Sequence, residues 1–273
     1  MTDTRIPTVT PAPDGGSATS PGHGADLARV TANFRQYLLG WGAEERGEGE
    51  LDYYRSGLAT PQFNGVVRTP SLHGVGQAAA KARARLADLP WWWWVGPDSP
   101  EGTPAELARH GLREMGSVPV MVRPLDRLAE AGERADGLRI ETVEGPARLA
   151  EFVRTYSTSM GIPPGLEDDM ARIEAQRSDN ADVVRLAAVL DGRIVGTTVV
   201  IAAHGHAGIF LVHVSETHRR RGIGTVLTAA ALRAGRDRGM DFAALMASPA
   251  GEPLYRGLGF TTVSEYRLFA LPA

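Results

Sequence analysis

Two glycines that follow three arginines form the most informative pattern in the chain. A strand predicted over residues 210–214 leads into the basic loop 219–221 and then into Gly222 and Gly224, where a helix begins. Glycine has no Cβ, so a ligand can approach its backbone closely. The amino end of a helix presents free N–H groups and a positive dipole, and arginine adds charge suited to phosphate. The pattern therefore predicts an anion site at the start of this helix.

Two common phosphate-binding loops do not fit this stretch. A P-loop needs a Gly-Lys pair, and the sequence contains none. The dinucleotide-binding fingerprint needs a third glycine or alanine where Leu227 stands, and it needs a βαβ unit that the region does not show. The hydrolase and zinc-protease patterns G-x-S-x-G and H-E-x-x-H do not occur either.

The stretch closely resembles the pyrophosphate loop of the GNAT N-acetyltransferase superfamily, which reads Arg/Gln-x-x-Gly-x-Gly/Ala. Residues 219–224 match it as Arg-Arg-Arg-Gly-Ile-Gly. Residues 254–260 are similar to the family's second signature and follow one helix and one strand downstream, as in the family. The resemblance covers residues 138–273. It implies an α+β fold, with a mixed, mostly antiparallel sheet flanked by helices, and acetyl-CoA as the cosubstrate.

The resemblance also implies a role for each matching residue. The backbone of a splayed strand at Val212, His213 and Val214 would hold the pantetheine arm and the thioester carbonyl. Tyr255 matches a tyrosine that relatives often use as general acid, whereas Ser248 departs from the asparagine that many relatives carry. The cofactor-binding residues predicted in this way are Val212, His213, Val214, Arg219, Arg220, Arg221, Gly222, Ile223, Gly224, Thr225, Ser248 and Tyr255.

Acetyl transfer to an amine needs an oxyanion donor, an acid and a base. A strand N–H can stabilise the oxyanion, and the phenol of Tyr255 can protonate the departing thiolate. His213 or Glu216 could take the proton of the amine, directly or through water. Side chains alternate along a strand, so His213 points away from Val212 and Val214 and faces either the acceptor or the core. Plain packing of Tyr255 or His213 is the alternative to a catalytic role.

The composition narrows the class of protein. The 273 residues carry a formal net charge of -3, which gives no overall attraction to nucleic acid or an anionic membrane. The sequence has no cysteine, which excludes disulfides, thiolate nucleophiles and cysteine metal ligands. His204 and His206 fall in a predicted hairpin turn with no evident third ligand, so no metal is expected. Without an apolar run of about 18 residues or a signal-like start, a cytoplasmic protein with no membrane partner is predicted.

Four segments are predicted along the chain. Residues 1–24 are rich in Pro, Gly, Ser and Thr and are predicted to be a disordered tail. The polar residues 129–137 are predicted to be a linker. Residues 138–273 show the order β-α-α-β-β-β-α-β-α-β of an acetyltransferase domain, and residues 25–128 show helices and strands of their own.

The first half resembles a degenerate copy of the second. In one ungapped register, residues 73–76 match residues 221–224, and residues 110–112 match residues 258–260. Helix, strand, short helix and strand follow in the same order in both halves. The copy keeps the glycines, but Ser71 replaces Arg219 and Leu107 replaces Tyr255. A tandem GNAT protein is therefore predicted, in which the first half shapes the acceptor groove without turning over itself.

Four consecutive tryptophans occupy residues 91–94. Such a run can be a ligand-stacking platform, a membrane anchor or a strand buried on both faces. The repeat aligns it with a strand of the second half, which favours a buried strand. Trp91 and Trp93 would then face one way, and Trp92 and Trp94 the other. We expect one pair to pack under helices of the first half. The other pair is expected either to pack in the core or to form a wall of the acceptor groove.

These patterns predict transfer of an acetyl group from acetyl-CoA to a primary amine, by direct attack in a ternary complex. The acceptor is a small-molecule or a protein amine. The acidic residues 167–169 hint at a cationic amine, although a solvated helix start explains them equally well. A non-catalytic acyl-CoA-binding regulator is the alternative, and the net charge disfavours an RNA-binding module built on the arginines. A monomer and a homodimer are both compatible with the sequence.

Overall fold

Eleven strands form one continuous sheet in the computed structural model, which describes residues 26–126 and 137–272. The predicted tail 1–24 and the predicted linker 129–137, apart from Gly137, lie outside the described residues. The strands are β1 Glu45–Gly47, β2 Asp52–Arg55, β3 Asn64–Arg68, β4 Trp92–Val95, β5 Arg113–Pro124, β6 Arg139–Thr142, β7 Val183–Leu190, β8 Arg193–Ala203, β9 His206–Val214, β10 Phe242–Met246 and β11 Thr261–Ala270.

The order across the sheet is β1-β2-β3-β4-β11-β5-β10-β9-β8-β7-β6. Among the described strands, β3 pairs parallel with β4 and β9 parallel with β10. The remaining neighbours pair antiparallel. The predicted α+β class, with a mixed and mostly antiparallel sheet, is confirmed.

Helices cover both faces of this sheet. They are α1 Leu27–Leu39, α2 Val75–Arg85, α3 Thr103–Arg109, α4 Pro146–Met160, α5 Glu167–Gln176, α6 Ile223–Asp237 and α7 Glu252–Gly257. The helices α1, α4 and α5 share one buried cluster with Phe210 and Tyr266 of the sheet, on the side that we call the α1 face. The helices α2 and α3 pack with Trp93, and α6 and α7 pack with Leu245, on the opposite side, the α6 face.

The order of elements predicted for residues 138–273 is confirmed from β6 to β11. The two strands β1 and β2 were not predicted, because they are only three and four residues long. An alternating pattern needs a longer run before it can be read. The helices and strands predicted between residues 27 and 125 are present as α1, β3, α2, β4, α3 and β5.

Each half of the chain places its last strand beside strands of the other half. The strand β5 ends the first half, yet it lies between β10 and β11. The strand β11 ends the second half, yet it lies between β4 and β5. The sheet therefore runs through both halves without an unpaired edge between them. The sequence predicted two packed units but not this exchange of strands.

Three of the four tryptophans lie in β4, Trp91 directly precedes it, and the run is largely buried, on both faces. Trp91 and Trp93 belong to the cluster beneath α2 and α3, whereas Trp92 and Trp94 pack on the α1 face. The predicted alternation is therefore confirmed. The ring of Trp94 meets that of Phe34 edge to face, with centroids 5.3 Å apart. None of the described helices is long and apolar enough to cross a membrane.

Candidate active site

The two parallel strands β9 and β10 separate halfway along their length. They pair only from His206 with Phe242 to Gly208 with Ala244, and beyond that point they diverge. In the separated part of β9, Leu211 has a positive φ of 52° and marks an irregularity in the pairing with β8. A bulge of this kind bends a strand away from its neighbour. The result is a gap in the sheet, with the backbone of β9 on one side.

The glycine loop lies where this gap opens, at the start of α6. Arg220 and Gly222 both have left-handed backbones, with φ of 63° and 74°. The N–H of Val226 donates to the carbonyl of Gly222 at 3.1 Å, so the helical pattern starts there and the amides before it have no helical acceptor. Alternation of left- and right-handed residues makes a concave set of N–H groups that suits an anion. The side chain of Arg219 ties the loop to β9 by donating to the Val214 carbonyl at 3.2 Å.

Gly224 stands where β9, α6 and α7 converge. A Cβ at this position would lie 3.2 Å from Leu254 Cδ1 and 4.0 Å from Val214 Cγ2. Ile223 is buried and anchors the helix start in a cluster that also contacts Val214. Arg219, Arg220 and Arg221 are exposed, and Thr225 is half-buried. The loop thus combines an anchored helix start with exposed positive charge at its rim.

Tyr255 lies on α7, next to the residue that touches Gly224. Its side chain is buried in one cluster with Val212, and its ring meets that of Phe260 edge to face at 5.9 Å. Burial raises the pKa of Tyr255 to about 12, so the phenol keeps its proton at neutral pH. A buried, protonated phenol beside the gap has the form that a proton donor needs.

Ser248 follows β10 and shapes the turn before α7. Its hydroxyl accepts the N–H of Gly251 at 3.2 Å, and its carbonyl accepts the N–H of Glu252 at 2.9 Å. The side chain is therefore engaged in the turn. A serine hydroxyl that bonds its own local backbone in this way helps to fix the turn.

The two base candidates lie in different surroundings. Val212 and Val214 pack on the α6 face, so His213 between them points to the α1 face. Burial, helped by the charge of Arg219, lowers the pKa of His213 to about 4. Glu216 is exposed in the short turn between β9 and the arginines. The structure thus places His213 toward α1, α4 and α5, and Glu216 toward solvent.

The first half reaches β9 through α1, and the individual contacts that it makes there were not predicted from the sequence. Tyr37 of α1 stacks on Phe210 of β9, with centroids 4.0 Å apart and planes 4° from parallel. The side-chain amide of Asn33 donates to three carbonyls at the end of the β8–β9 hairpin, at 2.9 to 3.1 Å. A Cβ on Gly208 would lie 1.9 Å from Asn33 Oδ1, so glycine is needed for α1 to dock. These contacts join residues 168 or more positions apart, beyond the reach of any local pattern.

The acidic residues 167–169 serve the start of α5. Glu167 accepts the N–H of Gly165 at 2.7 Å, and Asp169 pairs with Arg172 at 3.0 Å. Further along α5, the buried Glu174 is paired with Arg185 at 2.6 Å. Glu167, Asp169 and Glu174 are thus engaged, which favours the helix-start interpretation over a site for a cationic amine.

The two histidines of the H-x-H pattern have separate partners. His204 Nε2 lies 3.0 Å from the Gln36 side-chain oxygen, and the ring of His206 stacks on Phe242 at 5.7 Å. Within residues 26–126 and 137–272, no group of three or more His, Cys, Asp or Glu side chains is placed to hold a metal ion.

Comparison with known proteins agrees with this geometry. Residues 149–260 match the profile of the acetyltransferase (GNAT) family. The fold is similar to that of a GCN5-related N-acetyltransferase from Kribbella flavida, with a TM-score of 0.71 and 18% identity over 91% of this chain and 96% of that one. A GCN5-related N-acetyltransferase from Sphaerobacter thermophilus gives a TM-score of 0.57 and 22% identity over 72% and 68% of the two chains.

A tandem GNAT protein from the clavulanic acid biosynthesis pathway is similar over almost its whole length. Its TM-score is 0.56, with 14% identity over 91% of this chain and 97% of that one. A search of curated proteins finds no match. At these identities the structural likenesses establish the fold alone. Residues 149–260 therefore match the acetyltransferase (GNAT) family, and the chain shares the fold of these solved structures.

Proposed function

We propose that this chain transfers an acetyl group from acetyl-CoA to the primary amine of a small molecule or a protein, in a ternary complex. One observation carries the proposal. An anion loop and a protonated phenol meet at the gap between β9 and β10, where Leu254, the neighbour of Tyr255, lies against Gly224.

The cosubstrate is proposed to enter the gap from the loop. Its pyrophosphate lies on the amides from Arg220 to Thr225, with Arg219 at the rim. Its pantetheine arm runs along Val212, His213 and Val214, where β9 has lost β10 as a partner. An unpaired strand edge offers N–H and C=O groups to the amides of the arm, much as it offers them to an added strand. Ser248, exposed at the end of β10, completes the proposed cofactor site.

The proposed reaction is a direct transfer from the thioester to the amine. The amine nitrogen attacks the thioester carbon, and an N–H of β9 stabilises the oxyanion. The carbonyl re-forms as the C–S bond breaks, and the leaving sulfur takes the proton of the Tyr255 hydroxyl. The proton that the amine gives up passes to the base and then to water, from which Tyr255 regains its own.

The base remains a choice between His213 and Glu216. His213 is neutral at physiological pH, since its pKa is about 4, and it can therefore accept a hydrogen bond from the amine. The same low pKa means that it holds a proton weakly. We therefore propose His213 as the group that orients the amine, with Glu216 or water as the proton acceptor.

We propose that residues 25–128 form a degenerate unit, joined by residues 129–137 to the active unit 138–273. Two observations support the proposal that the degenerate unit no longer binds acetyl-CoA. Gly74, the counterpart of Gly222, has φ of -85° within a short helical turn, so the concave set of amides is not formed. A Cβ on Gly76, the counterpart of Gly224, would lie 2.7 Å from the His110 ring, which covers this helix start.

The test is a panel of amines offered with acetyl-CoA, with free thiol release as the signal. We expect at least one class of amine to release CoA well above the rate without acceptor. Small polyamines, amino acids, aminoglycosides and peptide N-termini make up the panel. Binding of acetyl-CoA without thiol release for every amine would favour the non-catalytic regulator instead.

A further inference from the structure

The strand β5 of the first half has an open edge beyond the end of β10. On one side β11 pairs with it along most of its length. On the other side β10 joins it only from Pro124 to Val120. A last bond runs from the Ala247 N–H to the Pro119 carbonyl at 3.1 Å, and the chain then turns into α7. Among the described strands, none pairs with residues 113–118 on this second side.

Ser117 holds the free backbone groups of this edge. In an antiparallel pair, successive residues direct their N–H and C=O alternately to the two sides of the strand. Pro119 directs its carbonyl toward β10, so Val118 directs its groups toward β11. Ser117 therefore directs its N–H and C=O to the open side, where no described strand lies to bond them. Its backbone can form two further hydrogen bonds.

This open edge faces β9 across the gap. Ala244 pairs with Gly208 of β9 and with Val122 of β5, so these three residues lie level in the sheet. Four residues further along the two outer strands are Val212 and Val118. Because β10 ends before that level, the two outer strands face each other there with no described strand between them. An extended chain placed between them would continue the line of β10.

A peptide in this line has its N-terminus at the base of the gap when it runs antiparallel to β5, as β10 does. The register of β10, in which Ala247 lies opposite Pro119, then places the first peptide residue opposite Val118 and the second opposite Ser117. The second residue exchanges both backbone bonds with Ser117. The first residue forms a non-bonded pair with Val118, so its amine points away from β5 and toward β9.

The amine of such a peptide points at the strand that carries the proposed reaction. The thioester is proposed to lie along β9, at residues 212–214. Residues that lie opposite each other in a sheet share one face, so the side chain of the first peptide residue lies with Val118 on the α1 face. His213 points to the same face, where it is proposed to orient the amine.

The side chains along the edge favour a peptide over a polycationic small molecule. A polyamine or an aminoglycoside needs free carboxylates to hold its several charges. The one carboxylate in residues 113–118, that of Glu114, is paired with Arg267. Met115 bulges out of the pairing with β11, and its side chain is 46% exposed. An apolar side chain beside free backbone groups suits an added strand, because main-chain bonds give affinity and side-chain contacts give specificity.

We propose that the acceptor is the N-terminal amine of a peptide or protein, whose first residues add to the open edge of β5 as a strand. The inference rests on the proposed function and adds to it the acceptor class. It also gives the degenerate half a part in the reaction, since β5 is the strand that receives the acceptor.

Thiol release with acetyl-CoA and a library of lysine-free tetrapeptides tests the acceptor class, because the α-amine is then the only primary amine. We expect release well above the rate without acceptor, and above the rate with spermidine or kanamycin at the same concentration. Peptides methylated on the nitrogen of their second residue cannot donate to the Ser117 carbonyl, and they should react at least about fivefold more slowly.

Ser117→Pro removes the other bond, from the Ser117 N–H to the peptide. This N–H faces away from β11, so the ladder with β11 stays complete, as it does at Pro119. The KM for the tetrapeptides should rise at least about fivefold, whereas the affinity for acetyl-CoA, measured by calorimetry, should not change. Thr142→Pro is the matched control, because Thr142 of the edge strand β6 likewise directs its N–H away from its neighbour β7.

Turnover of spermidine or kanamycin without turnover of the tetrapeptides would overturn the acceptor class and leave the proposed function standing. Equal KM values for Ser117→Pro and Thr142→Pro, or equal rates for methylated and unmethylated peptides, would rule out strand addition at β5. Thermal unfolding checks that both proline variants are folded, and the methylated peptides test the same contact without any change in the protein. Binding of acetyl-CoA without thiol release for any amine would instead overturn the proposed function.

Discussion

Val118 and Tyr266 lie opposite each other in the antiparallel pair of β5 and β11, and they are equivalent positions of the proposed repeat. The flanking pairs obey the same rule. Arg113 lies opposite Ala270, and Val122 lies opposite Thr261. In the repeat Arg113 is equivalent to Thr261 and Val122 is equivalent to Ala270. Exchanging the two halves therefore maps one pair onto the other. A pseudo-twofold axis therefore passes between the two strands near Val118.

The irregularities of the two strands repeat as well. The pairing skips Val263 in β11 and Met115 in β5, and these two residues are equivalent. Both side chains are exposed, at 40% and 46%. Bulges are specific features of a strand, and their coincidence supports descent of both halves from one unit more strongly than the short glycine motifs do.

This exchange predicts that the active half does not fold alone. A fragment of residues 138–273 lacks β5 and leaves β10 and β11 without the strand that joins them. Unpaired strand edges promote aggregation. We expect this fragment to be insoluble or to unfold without a cooperative transition, and co-expression with residues 1–128 to yield a soluble complex. A soluble, monomeric fragment 138–273 with a sharp melting transition would contradict the prediction.

The glycine loop gives a prediction that separates binding from folding. In Gly224→Val the new Cβ meets the flexible end of Leu254 at 3.2 Å and has an ordinary contact with Val214 at 4.0 Å, so the fold should persist. Its branches would occupy the approach of the pyrophosphate, and affinity for acetyl-CoA should fall at least about tenfold, or about 1.4 kcal/mol. Gly257→Val, at a position with open space around it, is the control and should keep its affinity. Equal calorimetric affinities of the two variants would remove the loop from the proposed site.

Tyr255→Phe tests the proposed acid. The phenylalanine keeps the packing against Phe260 but has no proton to give, so turnover should fall by about 100-fold while acetyl-CoA affinity changes little. Tyr53→Phe is the control, since its hydroxyl bonds Glu45 in the first half at 2.7 Å. Turnover is measured by thiol release with an amine that the panel identifies. A Tyr255→Phe enzyme as fast as the Tyr53→Phe enzyme would leave Tyr255 with a packing role only.

The structural features that depend on neighbouring residues in the chain could be predicted from the sequence. The loop at Gly222, the helix after it and the turn of β9 into that loop follow from local residue types. The packing of Tyr37 on Phe210 and the insertion of β5 beside β10 depend on which distant segments pair. Several apolar strands could pair with β10 equally well by pattern alone, and only the complete sheet decides among them. The tryptophan run lies between these cases, because the alternation of its side chains is local, whereas the helices that pack on its two faces come from distant segments.

His213 gives a prediction about pH. Burial and Arg219 lower its pKa from the ordinary 6.5 to about 4, so the unfolded chain binds more protons than the folded chain between these values. The free energy of unfolding should therefore rise with pH across this window, and the contribution of His213 is lost as the pH falls from 6.5 to 4. Urea unfolding at pH 5.0 and 7.5 should show a smaller pH dependence for His213→Gln than for the wild type, whereas His73→Gln, outside the proposed site, should keep the wild-type dependence. An unchanged pH dependence in His213→Gln would mean that the imidazole is solvated in the folded protein, and it would then be available as a base with an ordinary pKa.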